Sequence, residues 1–380
     1  MALVLTEEQQ LLRDTATQFF QERAPVASLR KLRDSKDASG FDRALWREMA
    51  NLGFAGILIS EKYGGTDFGP MGIGVVLEQA GRTLAATPLI STVLLGGSAI
   101  QLAGNATQRQ DLLPTIAAGE CLIALALEEG PHHNPSHIET IAKSIDADHF
   151  SLSGHKVFVL DGHVADLLIV AARTGGQAHD RHGITLFLVD PKAQGVTINR
   201  SHMVDSRNAA SIRFENVKVS ASDVLGSVDG GSDVLDQVLD IARIGLAAEM
   251  LGSLQQAFDE TVTYLKERKQ FGVPIGSFQA LKHRAAIMFA EIEICRSVVL
   301  DALSALDERR NDVPLMASLA KARLSETARL VTNECLQMHG GMGMTDQFNI
   351  GLYMKRARVA AATFGNVDFH RDRYASLDGF

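Results

Sequence analysis

HFSLSGHKVFVL (residues 149–160), ADLLIVAAR (165–173) and GITLFLVD (183–190) decide the fold. Each is a strand-length apolar run closed by turn residues, Asp161-Gly162 after the first and Asp190-Pro191 after the third. CLIALAL (121–127) precedes them, and GVTINR (195–200) and ASIRFENVKV (210–219) follow. No ten-residue helical pattern lies between these runs. Parallel strands need crossover helices, so their lack predicts an antiparallel, barrel-like domain and argues against a doubly wound nucleotide-binding sheet.

Outward from this block the apolar period changes to that of a helix. On the N-terminal side, Thr6 and Gln9 have capping-box spacing ahead of Leu11, Leu12, Thr15, Ala16, Phe19 and Phe20. A second helix is predicted over Gly72–Arg82. Thr87-Pro88 reads as the N-cap and first turn of a third, with Gly104 as its stop. On the C-terminal side one long helix is predicted from Ser232 to an exit at Gly272, with Ser232 or Asp233 as its cap. Others follow over Phe278–Glu308, Pro314–His339 and Asn349–Ala362. The order helices, strands, helices divides the chain into residues 1–118 (α-helical), 119–228 (β) and 229–380 (α-helical bundle). The fold class is mainly α with a central β domain.

Composition narrows the function. The 380 residues hold 37 Lys and Arg against 45 Asp and Glu, a formal charge of −8, which disfavours a nucleic-acid surface. With 46% hydrophobic residues the chain can offset its ordering entropy. Cys121, Cys295 and Cys335 have no metal-like spacing and point to a reducing compartment. Pro88–Ala103, the most apolar stretch, is too short and too interrupted to cross a membrane and reads as a buried helix. The N-terminal run MALVLTEEQQLLRD has neither secretory nor mitochondrial character, so a cytoplasmic location is expected.

Four stretches give this layout a family likeness: LGFAGILISEKYGG (52–65), RFENVKVSASDVLG (213–226), ERKQFGVPIGSFQALKHRAAIM (267–288) and QMHGGMGMTDQFNIGLYMKRAR (337–358). With them the whole chain resembles the acyl-CoA dehydrogenase family. The resemblance implies an N-terminal helical domain, a β domain and a C-terminal four-helix bundle. It also implies FAD as cofactor, an acyl-CoA substrate, and a homo- or hetero-oligomer built as a dimer of dimers. Electron-transfer flavoprotein is the implied electron acceptor. Arg268, Phe271, Gln279, Gln337, Gly340 and Gly341 become flavin contacts supplied across a subunit interface. The residue chemistry is compatible: a guanidinium fork suits a pyrophosphate, and paired glycines let backbone amides approach a ligand. Taken singly, Arg268 reads equally as a surface salt-bridge residue and Gly340-Gly341 as a helix stop.

Acyl-CoA dehydrogenation removes an α-proton and a β-hydride, so a base must face the acyl chain opposite the flavin. The family's usual base is the Glu of a Tyr-Glu-Gly-Thr run. Here the corresponding run is Thr363-Phe364-Gly365-Asn366, and Phe364 cannot take a proton. Some relatives carry the Glu on the long helix before a typical Arg, where this chain has Ala242-Arg243. On the flavin side, LEEGPHHNPSH (127–137) replaces the family's Thr-Glu-Pro-Gly loop. Phe158-Val159-Leu160 replaces its Trp-(Ile/Phe)-(Ser/Thr) triplet. Phe158 can still stack on a ring, whereas Leu160 has lost the hydroxyl. Asn366 and His370 remain polar where the family has Thr and Gln, and Asn366 is retained as a cofactor contact.

Glu249 is the candidate substitute base. It lies seven residues after Ala242, two helical turns and about 10 Å further along. A carboxylate among Leu246, Ala248, Met250 and Leu251 is costly unless paired or used, so a salt bridge to a neighbouring helix is the competing reading. Arg243 matches the family's substrate-side arginine. His132, His133 and His137 lack a third and fourth ligand at metal-site spacing; no metal is expected and a solvated loop is. Three functions follow. The chain is an FAD-dependent desaturase of acyl-CoA thioesters. Alternatively, it is a non-catalytic subunit that completes a partner's flavin site in a heteromer, as in some bacterial steroid side-chain systems. The third reading is another flavin oxidation on the same fold.

Overall fold

A computed structural model describes residues 4–380. The chain divides into two compact units. One comprises Met1–Lys31, Pro70–Ala85 and Arg243–Phe380; the other comprises Leu32–Gly69 and Ala86–Ala242.

In chain order the helices before the sheet are α1 (Glu7–Arg23), α2 (Val26–Ser35), α3 (Arg43–Asn51), α4 (Gly69–Arg82), α5 (Ser98–Ala103) and α6 (Ala106–Ala117). The Thr6–Gln9 capping box forms as read, and Gly104 ends α5. The predicted Thr87 cap does not form. Leu89–Gly97 instead winds into wide π-helical turns with Pro88 at its entry and no side-chain cap. This segment is buried throughout.

The sheet strands are β1 (Ile123–Ala126), β2 (Ile141–Ser144), β3 (His149–Leu160), β4 (Leu167–Arg173), β5 (Ile184–Val189), β6 (Val196–His202), β7 (Asn208–Ser220) and β8 (Val224–Leu225). Their order is β6-β7-β3-β2-β4-β5-β8, with β1 also on β4. The pairings are antiparallel except those of β1 and β2 with β4, which are parallel. Phe150, Leu152, Val170, Phe187, Ile212 and Phe214 pack in the core of this unit, with Phe150 edge-on to Phe187.

The remaining elements are α7 (Gly231–Glu267), a short hairpin β9 (Lys269–Gln270) and β10 (Val273–Pro274), then α8 (Gln279–Asp307), α9 (Val313–His339), α10 (Ile350–Ala362) and α11 (Val367–Leu377). The long helix stops at Glu267, five residues short of the expected exit. The chain reverses instead through Phe271 (φ 53°) and Gly272 (φ 80°), the two positive φ values that a tight two-residue hairpin turn requires. At the other end Ser232 lies inside α7, and its hydroxyl donates to the Arg181 carbonyl rather than capping. In the helical unit α9 packs against α8, α10 and α11. Helices α4 and α7 cross at backbone contact. A Cβ on Gly81 would lie 2.0 Å from the Glu249 carbonyl oxygen, and one on Gly252 would lie 1.8 Å from that of Glu78. The Ser253 hydroxyl seals the crossing by donating to the Gly81 carbonyl at 3.0 Å.

Candidate active site

The run Thr363–Asn366 forms the link between α10 and α11, and its backbone is unusual. Phe364 has φ 59° and Gly365 φ 110°, a pair of left-handed conformations that a β-carbon resists. Gly365 is required on packing grounds too: an added Cβ would sit 2.4 Å from the Phe369 ring and 2.8 Å from His370 Nε2. Three basic side chains from three helices hold this turn. Arg243 of α7, 1% exposed, donates from Nε to the Phe364 carbonyl at 3.2 Å, and its guanidinium lies over the Phe369 ring at 5.5 Å. His370 of α11 reaches the same carbonyl from Nε2 at 3.0 Å, which makes Nε2 the protonated ring nitrogen. Lys321 of α9 donates to the Ala361 and Gly365 carbonyls, each at 3.1 Å, and to Ser325 Oγ at 3.3 Å. Burial, with the Arg243 charge adding to it, pushes the Lys321 ammonium down to about 7. Asn366 is exposed, and its side chain caps α11 by accepting from the Phe369 amide at 2.9 Å.

Both expected base positions are apolar in place: Ala242 is fully buried and Phe364 partly so. Glu249 is 5% exposed, and its carboxylate is 3.4 Å from Nη1 of Arg356, a side chain of α10 that is itself 2% exposed. A buried carboxylate beside a buried guanidinium is the inter-helix salt bridge that its sequence context had offered as the alternative to a base.

The residues expected to reach a neighbour's flavin lie elsewhere in the helical unit. Arg268 and Gln279 flank the hairpin, Phe271 stands at its apex 93% exposed, and Gln337, Gly340 and Gly341 end α9; all are exposed. Among the described residues Arg268 has no ion pair and no side-chain hydrogen bond. Beside Gly340 (φ 60°) and Gly341 nothing approaches within 4 Å of where a Cβ would stand. An unengaged guanidinium and an open paired-glycine bend fit an anionic dinucleotide arriving from outside this chain.

In the sheet unit, β3 and β7 slip register between Lys156 and Val159, and Phe158 at this bulge has φ 52°. Bulges re-aim a side chain, and a non-glycine residue in the left-handed region is held there by its surroundings. The loop that replaces the family's Thr-Glu-Pro-Gly run is anchored by a buried pair: Lys156 Nζ donates to Glu129 at 2.6 Å and to the Leu127 carbonyl at 3.0 Å. Burial alone would raise the Glu129 carboxyl, but Lys156, with donors from Thr140 and Glu139, holds it below its ordinary value. Arg173 gathers the adjoining loops by donating to the carbonyls of Ser136, Ile138, Gly175, Ala178, Asp180 and His182. The histidines do not behave as one solvated cluster. His133 is buried against Glu128, while His137 packs on His179 with ring centroids 4.4 Å apart. Among the described residues no three His, Cys, Asp or Glu side chains could hold a metal.

Lys321, Arg356, Lys156 and Glu129 had not been singled out from sequence. Lys321 carried a legible signal: it falls on the same helical stripe as Ala317, Leu324 and Ala328, all fully buried.

Three family descriptions match in order along the chain. They are acyl-CoA dehydrogenase N-terminal domain over residues 6–120, middle domain over 125–217 and C-terminal domain over 229–376. The sequence is 32% identical to a 3-(aryl)acrylate reductase of Clostridium sporogenes, across 98% of this chain and 99% of that protein. The solved butyryl-CoA dehydrogenase of Megasphaera elsdenii matches with a TM-score of 0.90 at 28% identity, over 99% of both chains. A variant of the Tcur3481-Tcur3483 steroid ACAD matches with a TM-score of 0.87 at 32% identity, over 98% of both.

Proposed function

Because the chain belongs to the acyl-CoA dehydrogenase family of oxidoreductases, we propose that it is a subunit of a heteromeric, FAD-dependent acyl-CoA dehydrogenase. In this reading it completes the flavin site of a related chain that carries the proton-abstracting carboxylate. One observation carries the proposal: the turn at the base position is built in full, yet its side chain is Phe364, and the nearest substitute, Glu249, is tied to Arg356. The outward-facing set of Arg268, Phe271, Gln279, Gln337, Gly340 and Gly341 is retained, which is the division of labour expected when one site decays and the other is kept.

FAD, when bound, accepts the hydride lost from the β-carbon of an acyl thioester. This chain's residues do the rest of the binding. Arg268 and the Gly340-Gly341 bend would hold the FAD pyrophosphate, and Phe158 and Asn366 are kept as further candidate contacts. Arg243 sits on the substrate side, where it holds the residue-364 carbonyl. The substrate class is a CoA thioester, electrons leave to electron-transfer flavoprotein, and the complex is cytoplasmic. The family matches, over 6–120, 125–217 and 229–376, support a division at 118/119 and 228/229. The two-component name of the steroid ACAD supports the heteromer reading. The self-contained desaturase with Glu249 as base would require the Arg356 pair to open.

The test is reconstitution with a family chain that keeps the catalytic Glu. Flavin occupancy of the mixture should exceed that of either chain alone, and Arg268→Ala should abolish the gain. A homo-oligomer of this chain with full flavin content and turnover would overturn the reading.

A further inference from the structure

Lys321 is fully buried, and its three hydrogen-bond partners are uncharged oxygens. An ammonium has three donors, one for each of these oxygens; a neutral amine keeps two, enough to bridge the Ala361 and Gly365 carbonyls. The two carbonyls lie on either side of Phe364: Ala361 belongs to the last turn of α10, and Gly365 follows the strained residue. The Ala361 carbonyl is among those that a helix end leaves without an intrahelical partner, and a cation is the favoured cap there. Arg243 and His370 meanwhile both grip the Phe364 carbonyl. The left-handed pair at 364 and 365 is therefore clamped on three consecutive sides by donors from α7, α9 and α11. Lys321 spans the turn, touching the chain before and after residue 364.

We propose that Lys321 is the positioning residue of this turn: by bridging the Ala361 and Gly365 carbonyls it fixes the backbone that aims the side chain of residue 364. The inference rests on the reading above that residue 364 occupies the base position. It goes further in assigning what sets that residue's direction, in a chain where the side chain itself is no base. A clamp of this kind preserves the geometry whatever residue stands at 364.

The experiment is amide hydrogen exchange of the purified full chain, read on peptides covering residues 361–366, and it needs no flavin. A failed result is thus distinct from failure of the heteromer reading. Lys321→Met removes the donor while filling the space. The expected result is exchange at 361–366 faster by about tenfold or more, with α8 and the rest of α9 unchanged. Exchange equal to the parent's in that segment would overturn the proposal, as would a uniform rise across the helical unit. Lys321→Gln, a neutral donor of shorter reach, is measured beside it and carries the test should the Met variant not fold. Parent-like protection at 361–366 in the Gln variant counts against the proposal, and local loss of protection supports it.

Discussion

Glu249→Gln separates a structural carboxylate from a catalytic one. Glu249 and Arg356 are 3.4 Å apart, with side chains only 6% and 2% exposed, so neither charge can be rescued by water if the other is removed. Breaking such a pair by deleting one partner costs about 3–5 kcal/mol, because the remaining charge stays buried. For 380 residues the unfolding entropy is about 0.8 kcal/mol per kelvin, so the melting temperature should fall by about 4–6 °C. Arg356→Met alone should cost a similar amount. The double variant Glu249→Gln/Arg356→Met removes both charges and should recover most of the loss, giving a coupling energy that the two singles do not add up to. The assay is a thermal melt of the four proteins at neutral pH, alongside their response to an acyl-CoA. A Glu249→Gln protein that melts with the parent yet loses reaction with substrate would refute the argument, since that is the behaviour of a base.

Other consequences follow from the same geometry. Lys321 titrates near 7 when folded and near 10.5 when unfolded, so between those values the unfolded chain binds one more proton. Stability from this group therefore rises with pH through that window and is flat below it. From pH 7.5 to 9.5 the parent should gain about 3 kcal/mol relative to Lys321→Met in urea unfolding, and parallel curves would contradict the assignment. Gly252→Ala places a Cβ 1.8 Å from the Glu78 carbonyl, a backbone atom that cannot step aside. The cost of forcing α4 and α7 apart, about 1–3 kcal/mol, should outweigh the helix-propensity gain, and a stabilised variant would show that the crossing is looser than described. Asn366→Ala removes the α11 cap and should cost about 1 kcal/mol by denaturant midpoint; no change would mean that the cap contributes nothing.

The strands were legible where apolar runs were long and bounded: β3 occupies His149–Leu160, the run read from sequence. β2, Ile141–Ser144, was missed because four residues with one buried side chain give no period to detect. The hairpin after α7 was masked by the charged, helix-compatible run Lys266–Gln270 ahead of Phe271, whose positive φ has no signature in a phenylalanine. Asn366 was expected to face a nucleotide, and its capping role depends on where α11 begins, an element not read from sequence at all. The base positions could be placed in sequence only through spacing from the glycine pair. That Glu249 meets Arg356 depends on how α10 packs on α7, which no local pattern encodes.

The central claim is that this chain keeps the family's flavin-completing surface without a working base. Anaerobic titration of the purified chain with an acyl-CoA thioester, followed through the visible flavin absorbance, tests it most directly. The account predicts no bleaching by the chain alone, even when FAD is supplied, and rapid bleaching once a Glu-bearing family chain is added. Bleaching at turnover rates by the chain alone would contradict it.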